Sequence, residues 1–462
     1  MNTIDKSASV SKLNGVKIAL VSLGCDKNLV DSETMLGLLG MQGCVFTSDI
    51  TKAQVIIINT CGFLQDAIAE SRLAVNSAVS QKKQGLCRAV IVAGCAAQRY
   101  KEEFADRSLD IDGVIGTMEY NKIVEVIEQA FDQNMDRYVD FTQLDQYRID
   151  ENIHLNRVLS TPKHYAYLKI AEGCDKTCTY CAIPRLRGHF RSRTLNSLLE
   201  EAHILASMGV KELILVAQDT TLYGTDIYGE QKLHELLARL SEIDGIKWLR
   251  ILYCYPEHIY DGLINEMKNN PKVLQYLDMP IQHAADRVLK LMARRSNQEK
   301  IRTTISKLRD AMPDIILRTT LISGFPGEQK EDFIELCRFI KDMQFDRLGV
   351  FTYSREEGTP ADKLPNHLTQ KTKNTRKDRL MQIQQEISVA KFAKKIGSEI
   401  AVLTEGKEGS MYFGRSYADA PQIDGLVFFE SKSEVTIGSF ANVKVTETLE
   451  YDLLGEAISF EI

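Results

Sequence analysis

Three cysteines stand close together in one short segment, with the spacing CxxxCxxC at Cys174, Cys178 and Cys181. Three thiolates at this spacing can bind three irons of a [4Fe–4S] cube and leave the fourth iron without a protein ligand. A structural zinc site would need a fourth Cys or His close by, whereas the next histidine is His189. The segment therefore predicts an iron–sulfur cluster whose open iron is available for catalysis.

A second set of three cysteines is dispersed over the first hundred residues. Cys25, Cys61 and Cys95 each come one or two residues after a short apolar run, and each has a glycine beside it. Parallel strands place their carboxyl ends along one edge of a sheet, so these thiolates are expected to converge on a second cluster. The remaining cysteines occur singly in apolar or amphipathic stretches and are interpreted as packing residues: Cys44, Cys87, Cys254 and Cys337.

The first set of elements predicted around these cysteines is an open parallel α/β sheet. Its buried strands are predicted at Lys17–Leu23, Val55–Asn59 and Ala89–Ala93, and amphipathic stretches such as Asp66–Ser80 lie between them. The CxxxCxxC segment follows the first strand of a second α/β series. The predicted strands of that series are Tyr165–Ile170, Glu212–Ala217, Trp248–Tyr253, Gln275–Pro280, Ile315–Ser323 and Leu348–Thr352.

Six strands that alternate with helices are too few for a closed eight-stranded barrel. They predict a partial (β/α)6 barrel with its chemistry at the carboxyl ends of the strands, followed by a basic amphipathic helix at about Gln370–Lys395. The last residues change to alternating runs, such as Glu399–Thr404, Leu426–Phe429 and Ala441–Thr446, which predict a small antiparallel β-barrel. Residues 397–462 carry twelve acidic and four basic residues, a net charge of −8, whereas the whole chain has −6.

These patterns predict a disordered tail at residues 1–14, a first domain at 15–140, a linker at 141–160, a second domain with its trailing helix at 161–395 and the terminal barrel at 396–462. Ten cysteines in 462 residues are too sparse for a disulfide scaffold. The chain has no apolar run of membrane-spanning length, and its first fourteen residues lack the apolar core of a signal peptide. We expect a cytoplasmic protein with no membrane partner.

The cysteine segment and its position resemble the radical S-adenosylmethionine (SAM) superfamily. The resemblance implies that the open iron binds the methionine part of SAM, which is then cleaved to a deoxyadenosyl radical. It also implies that Tyr180 lies near the adenine.

The combination of a sheet domain with three dispersed cysteines, a radical SAM barrel and a terminal β-barrel resembles the methylthiotransferase family, in which the terminal module is called TRAM. The resemblance implies two [4Fe–4S] clusters. One is needed to generate the radical that breaks a C–H bond, and the other holds, on an open iron, the sulfur atom that is transferred. Residues 22–33 resemble the RimO branch of this family, as do residues 181–193; their sequences are SLGCDKNLVDSE and CAIPRLRGHFRSR. Asp26 departs from the branch, in which proline is common at this position.

Further segments after the strands of the second series match the family and are expected to line the SAM cavity. Gln218 and Gln282 are candidates to bind the ribose or methionine groups, and Gly324 and Gly327 would let the backbone approach the adenosyl group. His283 is a weaker candidate, as a proton donor.

The RimO branch implies a substrate, an aspartate of ribosomal protein S12, and an electron donor such as flavodoxin or ferredoxin. An acidic terminal barrel suits a basic ribosomal protein and disfavours a direct grip on nucleic acid. One alternative is a tRNA methylthiotransferase of the MiaB type, which shares the cofactor residues. Another is a non-catalytic iron–sulfur carrier, which would not need a barrel with cofactor-cavity motifs.

Overall fold

A computed structural model describes residues 11–132, 135–142, 144 and 148–460. Most of the tail expected at residues 1–14, and part of the linker expected at 141–160, lie outside these described residues. The chain forms two compact units. The first comprises the residues up to Ser160 together with Gly173–Asp175 and Ala182–His189, and the second comprises Thr161–Glu172, Lys176–Cys181 and the chain from Phe190 onward.

The first unit contains a parallel sheet with the strand order β2-β1-β3-β4-β5-β6. Its strands are β1 (Lys17–Ser22), β2 (Val45–Phe46), β3 (Val55–Thr60), β4 (Ala89–Gly94), β5 (Gly113–Ile115) and β6 (Tyr138–Asp140). Its helices are α1 (Asp26–Met41), α2 (Gln65–Gln84), α3 (Cys95–Arg99), α4 (Lys101–Ala105), α5 (Ile123–Ala130) and α6 (Ile183–Arg187). The expected open parallel α/β sheet is confirmed.

Burial on both faces explains why β3 and β4 are continuous apolar runs. Successive side chains of a strand point to opposite faces. Ile57 and Ile91 accordingly belong to one hydrophobic core, and Ile58 and Val92 belong to the core on the other face. The carboxyl ends of β1, β3 and β4 lie side by side at one edge of the sheet, in which β3 and β4 are buried on both faces.

The second unit begins with another parallel sheet, in the order β14-β13-β12-β11-β10-β7, and a short antiparallel ribbon of β8 and β9. The strands are β7 (Tyr165–Lys169), β8 (Ala171–Glu172), β9 (Arg191–Ser192), β10 (Glu212–Val216), β11 (Trp248–Ile251), β12 (Val273–Asp278), β13 (Ile316–Ser323) and β14 (Arg347–Thr352). The helices are α7 (Leu195–Ser207), α8 (Leu233–Ser241), α9 (Asp261–Asn269), α10 (Asp286–Leu291), α11 (Gln298–Ala311), α12 (Lys330–Met343) and α13 (Gln370–Ala393). The partial (β/α)6 barrel is confirmed.

Short 3-10 helices connect several of these elements in the two units. They span Ile50–Lys52, Tyr120–Lys122, Thr220–Leu222, Pro256–His258 and Pro360–Lys363. No helix in the described part of the chain is long and apolar enough to cross a bilayer.

The terminal strands close into a barrel in the order β15-β16-β17-β19-β18. They are β15 (Glu399–Glu408), β16 (Met411–Arg415), β17 (Val427–Glu430), β18 (Phe440–Thr448) and β19 (Leu453–Phe460). The expectation of an antiparallel barrel needs one correction, because β17 and β19 pair in parallel. The chain crosses from β17 to β18 before it returns, so that β19 lies between them and closes the barrel.

Buried ion pairs join the terminal barrel to the sheet of the second unit. Arg415 of β16 lies 2.7 Å from Glu212 of β10 and 2.7 Å from Glu405 of β15, and Glu212 also pairs with Arg250 at 2.7 Å. Arg415, Glu212 and Arg250 are each at most 1% exposed. Arg250 donates further hydrogen bonds to the carbonyl oxygens of Ser416 and Tyr417.

The barrel's other buried carboxylates make similar contacts. Asp419 pairs with Arg347, and Asp424 accepts a 2.6 Å hydrogen bond from the Tyr276 hydroxyl and lies 3.5 Å from Arg318. These carboxylates, with Glu405, do not contribute to an acidic outer surface as their sequence suggests. The carboxylates that are exposed in the described barrel are Glu399, Glu408, Glu430, Glu434, Glu447, Glu450 and Glu456.

Candidate functional site

The three dispersed cysteines converge at the edge of the first sheet. Cys25 precedes α1 as its N-cap residue, Cys61 directly follows β3, and Cys95 is the first residue of α3 after β4. Burial raises the pKa of the Cys61 thiol to about 11, and the neighbouring Cys95 and Cys25 thiolates contribute to that rise. The sequence-based expectation of convergence therefore agrees with the placement of these residues.

Glycines beside the cysteines permit the close approach of the three loops. Gly24 has a φ of +94°, and a Cβ atom there would lie 2.9 Å from the Cys61 sulfur. A Cβ atom on Gly62 would lie 2.5 Å from the Cys95 carbonyl oxygen. Neither contact can be tolerated by a real side chain, so glycine is required at both positions.

Asn28 links the loops that carry these cysteines. Its Nδ2 group donates to the carbonyl oxygens of Leu23 at 2.6 Å and of Thr60 at 3.3 Å, and these residues precede Cys25 and Cys61. Asn28 is 1% exposed. The side chain therefore holds two cysteine loops at a fixed separation, a role that the sequence analysis did not assign to it.

Thiolates from three loops suit an iron–sulfur cluster better than a single ion. No group of three His, Cys, Asp or Glu side chains within the described ranges is arranged to hold one metal ion. A cube distributes its ligands over separate corner irons, so it needs thiols that are further apart than the ligands of one ion. Cysteines are the softest donors in proteins, and the residues present fit the cluster.

The CxxxCxxC segment is divided between the two units, with Cys174 in the first and Cys178 and Cys181 in the second, and backbone hydrogen bonds hold each part. In the first unit, the Cys174 amide donates to the Gly188 carbonyl at 3.0 Å. In the second unit, the Cys181 amide donates to the Cys178 carbonyl at 3.0 Å, and Thr179 is bonded to the backbone of Met292 at 3.1 Å. Cys174 and Cys178 are buried, and Cys181 is half-buried.

Lys176, inside the cysteine segment, is bound by residues at the carboxyl ends of the strands. Its Nζ atom lies 3.2 Å from Asp219 Oδ2, and His258 contacts the same carboxylate oxygen at 3.1 Å. Lys176 also lies 4.1 Å above the ring of Tyr255, whose ring is contacted by Arg294 at 4.2 Å. Sequence reasoning missed this cluster, for which the only signal was a lysine between two cysteines.

Tyr180 and Arg294 lie beside the same cysteines. Burial raises the pKa of Tyr180 well above its usual value, and the nearby Arg294 guanidinium opposes that shift. Tyr180 packs edge-on against Phe325 at 6.4 Å, so it has a packing role whether or not a cofactor is bound. Arg294 is 7% exposed, and its Nε atom has no hydrogen-bond partner among the described residues. It is a buried cation with a donor available to an anionic ligand.

Gln218 and Gln282 lie after different strands of the sheet. The Gln218 Nε2 group donates to Glu172 at 2.8 Å, and its Oε1 atom has no partner among the described residues. Gln282 adopts a φ of +68°, and its backbone bridges to Leu321 of β13. A left-handed conformation in a residue other than glycine is strained and is typical of functional sites.

The two candidate glycines have structural explanations of their own. Gly324 has a φ of +73°, and a Cβ atom there would lie 2.5 Å from the Lys373 side chain of α13. Gly327 has a φ of +81°, with Leu291 as the nearest atom to its missing Cβ at 3.3 Å. Backbone conformation at both positions, and packing against Lys373 at Gly324, thus favour glycine there independently of any cofactor.

His283 is fully buried, and burial lowers its pKa to about 3. Its Nδ1 atom accepts a hydrogen bond from the Ala285 amide at 3.0 Å, so the proton of the neutral ring lies on Nε2. Nε2 has no partner in the described part of the structure. The ring is therefore a neutral donor at physiological pH.

Three family models match the chain. Residues 17–116 match "Uncharacterized protein family UPF0004", residues 168–340 match "Radical SAM superfamily" and residues 396–458 match "TRAM domain". The chain thus combines a radical SAM domain, which makes it an enzyme of that superfamily, with two further modules.

Solved structures share the fold at low sequence identity. A radical S-adenosylmethionine methyltransferase, TsrM from Kitasatospora setae, has a TM-score of 0.57 and 11% identity over 75% of this chain and 74% of its own. A second structure of TsrM, with tryptophan and a SAM analogue bound, has a TM-score of 0.56 and 12% identity over 85% of this chain and 79% of its own.

Curated relatives are similar over almost their whole length. A protein of Lachnoclostridium phytofermentans is 49% identical over 96% of this chain and all of its own, and one of Acetivibrio thermocellus is 49% identical over 96% and 98%. A Clostridioides difficile protein is 46% identical over 96% and 99%. Each is named ribosomal protein uS12 methylthiotransferase RimO. With the three cysteine-bearing strand ends and the CxxxCxxC segment in place, this chain belongs to the RimO family of radical SAM methylthiotransferases.

Proposed function

We propose that this chain transfers a methylthio group to the β-carbon of an aspartate in ribosomal protein uS12, and that it uses two [4Fe–4S] clusters and SAM to do so. The convergence of Cys25, Cys61 and Cys95 is the observation that carries the proposal. A radical SAM enzyme that only generates a radical needs one cluster, whereas insertion of sulfur requires a second site to present it. The relatives named for this activity supply the identity of the substrate.

Cys25, Cys61 and Cys95 would hold the first cluster, which supplies an open iron on which sulfur is presented. Asn28 and the neighbouring glycines keep the three loops at the separation that this binding needs. Two of the thiols begin helices, where the partial positive charge of the helix end favours an anionic group.

Cys174, Cys178 and Cys181 would hold the second cluster, which with SAM supplies the radical chemistry of the superfamily. Gln218 offers an acceptor and Arg294 a donor to polar groups of SAM, since neither atom has a partner in the described structure. Tyr180 and Gln282 would line the same SAM cavity. Gly324 and Gly327 shape the adjoining loop, where two backbone amides donate to Glu328.

The charge of the terminal barrel supports a basic protein partner. Its exposed carboxylates outnumber its exposed lysines, which are Lys407, Lys432 and Lys444 in the described barrel. Carboxylates facing phosphates would cost affinity, so this barrel makes no direct grip on nucleic acid. Reduction of the clusters requires an external donor of the flavodoxin or ferredoxin type.

Mass spectrometry of a deletion strain tests the proposal. The uS12 peptide should be lighter by about 46 Da, the net mass gained when a methylthio group replaces a hydrogen, and a plasmid copy of the gene should restore the heavier peptide. A plasmid copy with Cys25, Cys61 and Cys95 replaced by alanine should not restore it, whereas replacement of the packing residue Cys337 should have no effect. Unchanged uS12, with a loss confined to an adenosine of tRNA, would refute the proposed substrate and favour the MiaB-type activity.

A further inference from the structure

A buried arginine lies beside the cysteines of the first unit. Arg187 is the last residue of α6 and is 1% exposed. Its Nη1 atom donates to Asp31 Oδ2 at 2.9 Å, and its Nη2 atom donates to Asn28 Oδ1 at 3.1 Å and to the Cys95 sulfur at 3.5 Å. Burial of a guanidinium is costly unless its donors are satisfied, so these contacts specify its position closely.

The contact with Cys95 completes a chain of hydrogen bonds. Asn28 donates through Nδ2 to the backbone before Cys25 and before Cys61, and it accepts through Oδ1 from Arg187. Arg187 in turn donates to Cys95. One network of side chains therefore reaches the loops of all three cysteines of the proposed first cluster.

The segment that carries Arg187 is itself packed on Cys95. Ala182 and Leu186 form a small buried apolar cluster with the Cys95 side chain, and the Leu186 carbonyl accepts a 2.6 Å hydrogen bond from Thr117. The C-cap residue of this helix is Gly188, which has a φ of +68°. The guanidinium is consequently held at the sulfur by packing on one side and by Asp31 on the other.

We infer that Arg187 is a positioning residue for the first-unit cluster that also adjusts its reduction potential through the hydrogen bond to the Cys95 sulfur. The inference rests on the proposed function, since it requires a cluster at Cys25, Cys61 and Cys95. A donor to a ligand sulfur withdraws electron density from the cluster and stabilises its reduced, more negative state. Loss of the donor therefore makes the reduction potential more negative.

A purely structural ion pair would act differently. Arg187 and Asp31 neutralise much of each other's charge. If the role of Arg187 is only structural, its substitution should lower the stability of the protein but leave the reduction potential of any bound cluster unchanged. Arg157 provides a matched comparison in the same unit. It pairs with Glu33, two residues from Asp31 on α1, at 3.3 Å, and both side chains are 1% exposed.

The experiment uses full-length protein in which Cys174, Cys178 and Cys181 are replaced by alanine, so that the first unit alone binds iron. Arg187→Gln, Arg187→Lys and the control Arg157→Lys are added to this parent, which is reconstituted without oxygen. Iron content and the reduction potential, followed by electron paramagnetic resonance, are measured. Arg187→Gln should bind iron at a more negative potential than the parent, Arg187→Lys should shift in the same direction by less, and Arg157→Lys should match the parent.

The outcomes separate the inference from the proposal beneath it. A parent without iron would show that the first unit holds no cluster, which would refute both the inference about Arg187 and the two-cluster proposal. Iron bound at the parent's potential in both Arg187 variants would overturn the inference alone. If Arg187→Gln does not retain iron, Arg187→Lys decides, because lysine keeps the charge while it loses the fork that reaches Asp31, Asn28 and Cys95 together.

Discussion

Replacement of Arg415 by methionine is expected to loosen the attachment of the terminal barrel. The guanidinium donates a 2.7 Å hydrogen bond to Glu405 and forms a 2.7 Å ion pair with Glu212, at a site where Arg415 is 1% exposed. Removal of one partner from a buried pair costs about 3–5 kcal/mol. Glu212 keeps Arg250 and Glu405 keeps His164, so the lower end of that range, about 3 kcal/mol, is appropriate.

An undocking free energy reduced by about 3 kcal/mol raises the population of the opened state roughly a hundredfold. Hydrogen exchange measured by mass spectrometry reports this opening at residues 416–424, a loop that receives hydrogen bonds from Arg250. The amides of this loop should exchange roughly a hundredfold faster in Arg415→Met than in the parent.

A matched control is Arg239→Met, which removes the same charge from an exposed pair with Glu242. Exposed pairs contribute little, so exchange in the loop should not change. Loop exchange within twofold of the parent in Arg415→Met would refute the reasoning, because it would mean that the buried pairs do not hold the barrel in place.

One further substitution and one change of pH test other parts of the structure. Gly24→Ala would place a methyl group 2.9 Å from the Cys61 sulfur, so the variant should lose the first-unit iron, which is about half of the total. The control Gly15→Ala places a methyl group that meets nothing within 4 Å and should keep all of the iron. Full iron content in Gly24→Ala would contradict the geometry. Acid should destabilise the second unit. Burial tends to raise the pKa of Glu212 and Glu405, but Arg415 and Arg250 lower the pKa of Glu212 overall, and His164 and Arg415 lower that of Glu405. The stability that these carboxylates contribute is therefore present above the ordinary glutamate pKa of about 4.3 and is lost as pH falls through their lower folded values. Unfolding midpoints that do not change between pH 6 and pH 3 would show that these carboxylates are not paired.

The long strands were predictable because burial on both faces imposes an unbroken apolar run. The predicted Val55–Asn59 and Ala89–Ala93 differ from β3 and β4 by one residue at their carboxyl ends. The two-residue strand β2 was not predicted, since its backbone pairs with β1 although its side chains are exposed. Short edge strands owe their existence to a neighbour and leave no pattern in sequence.

Charged residues were the least predictable part of both units. Sequence patterns treat arginine and glutamate as solvent-exposed, and nothing local identifies a partner such as Asp31, which is 156 positions from Arg187. For the same reason, the sequence counts Asp419 and Asp424 among the acidic residues of the barrel surface, whereas the structure buries both side chains against arginines. Gly324 was linked to a cofactor because its neighbouring motif resembles the family, but packing against Lys373 explains it equally well.

The buried ion pairs between the terminal barrel and the second sheet limit how such modules can be recombined. A chimaera that joined this radical SAM domain to the TRAM module of another protein would retain Arg250, Arg318 and Arg347 at the junction. Without acidic residues at the positions of Asp419 and Asp424, the Arg347 guanidinium would be buried without a counter-charge, whereas Arg250 would keep Glu212 and Arg318 would keep Asp278. Recombination between branches of the family should therefore succeed only when both sides of this junction are exchanged together.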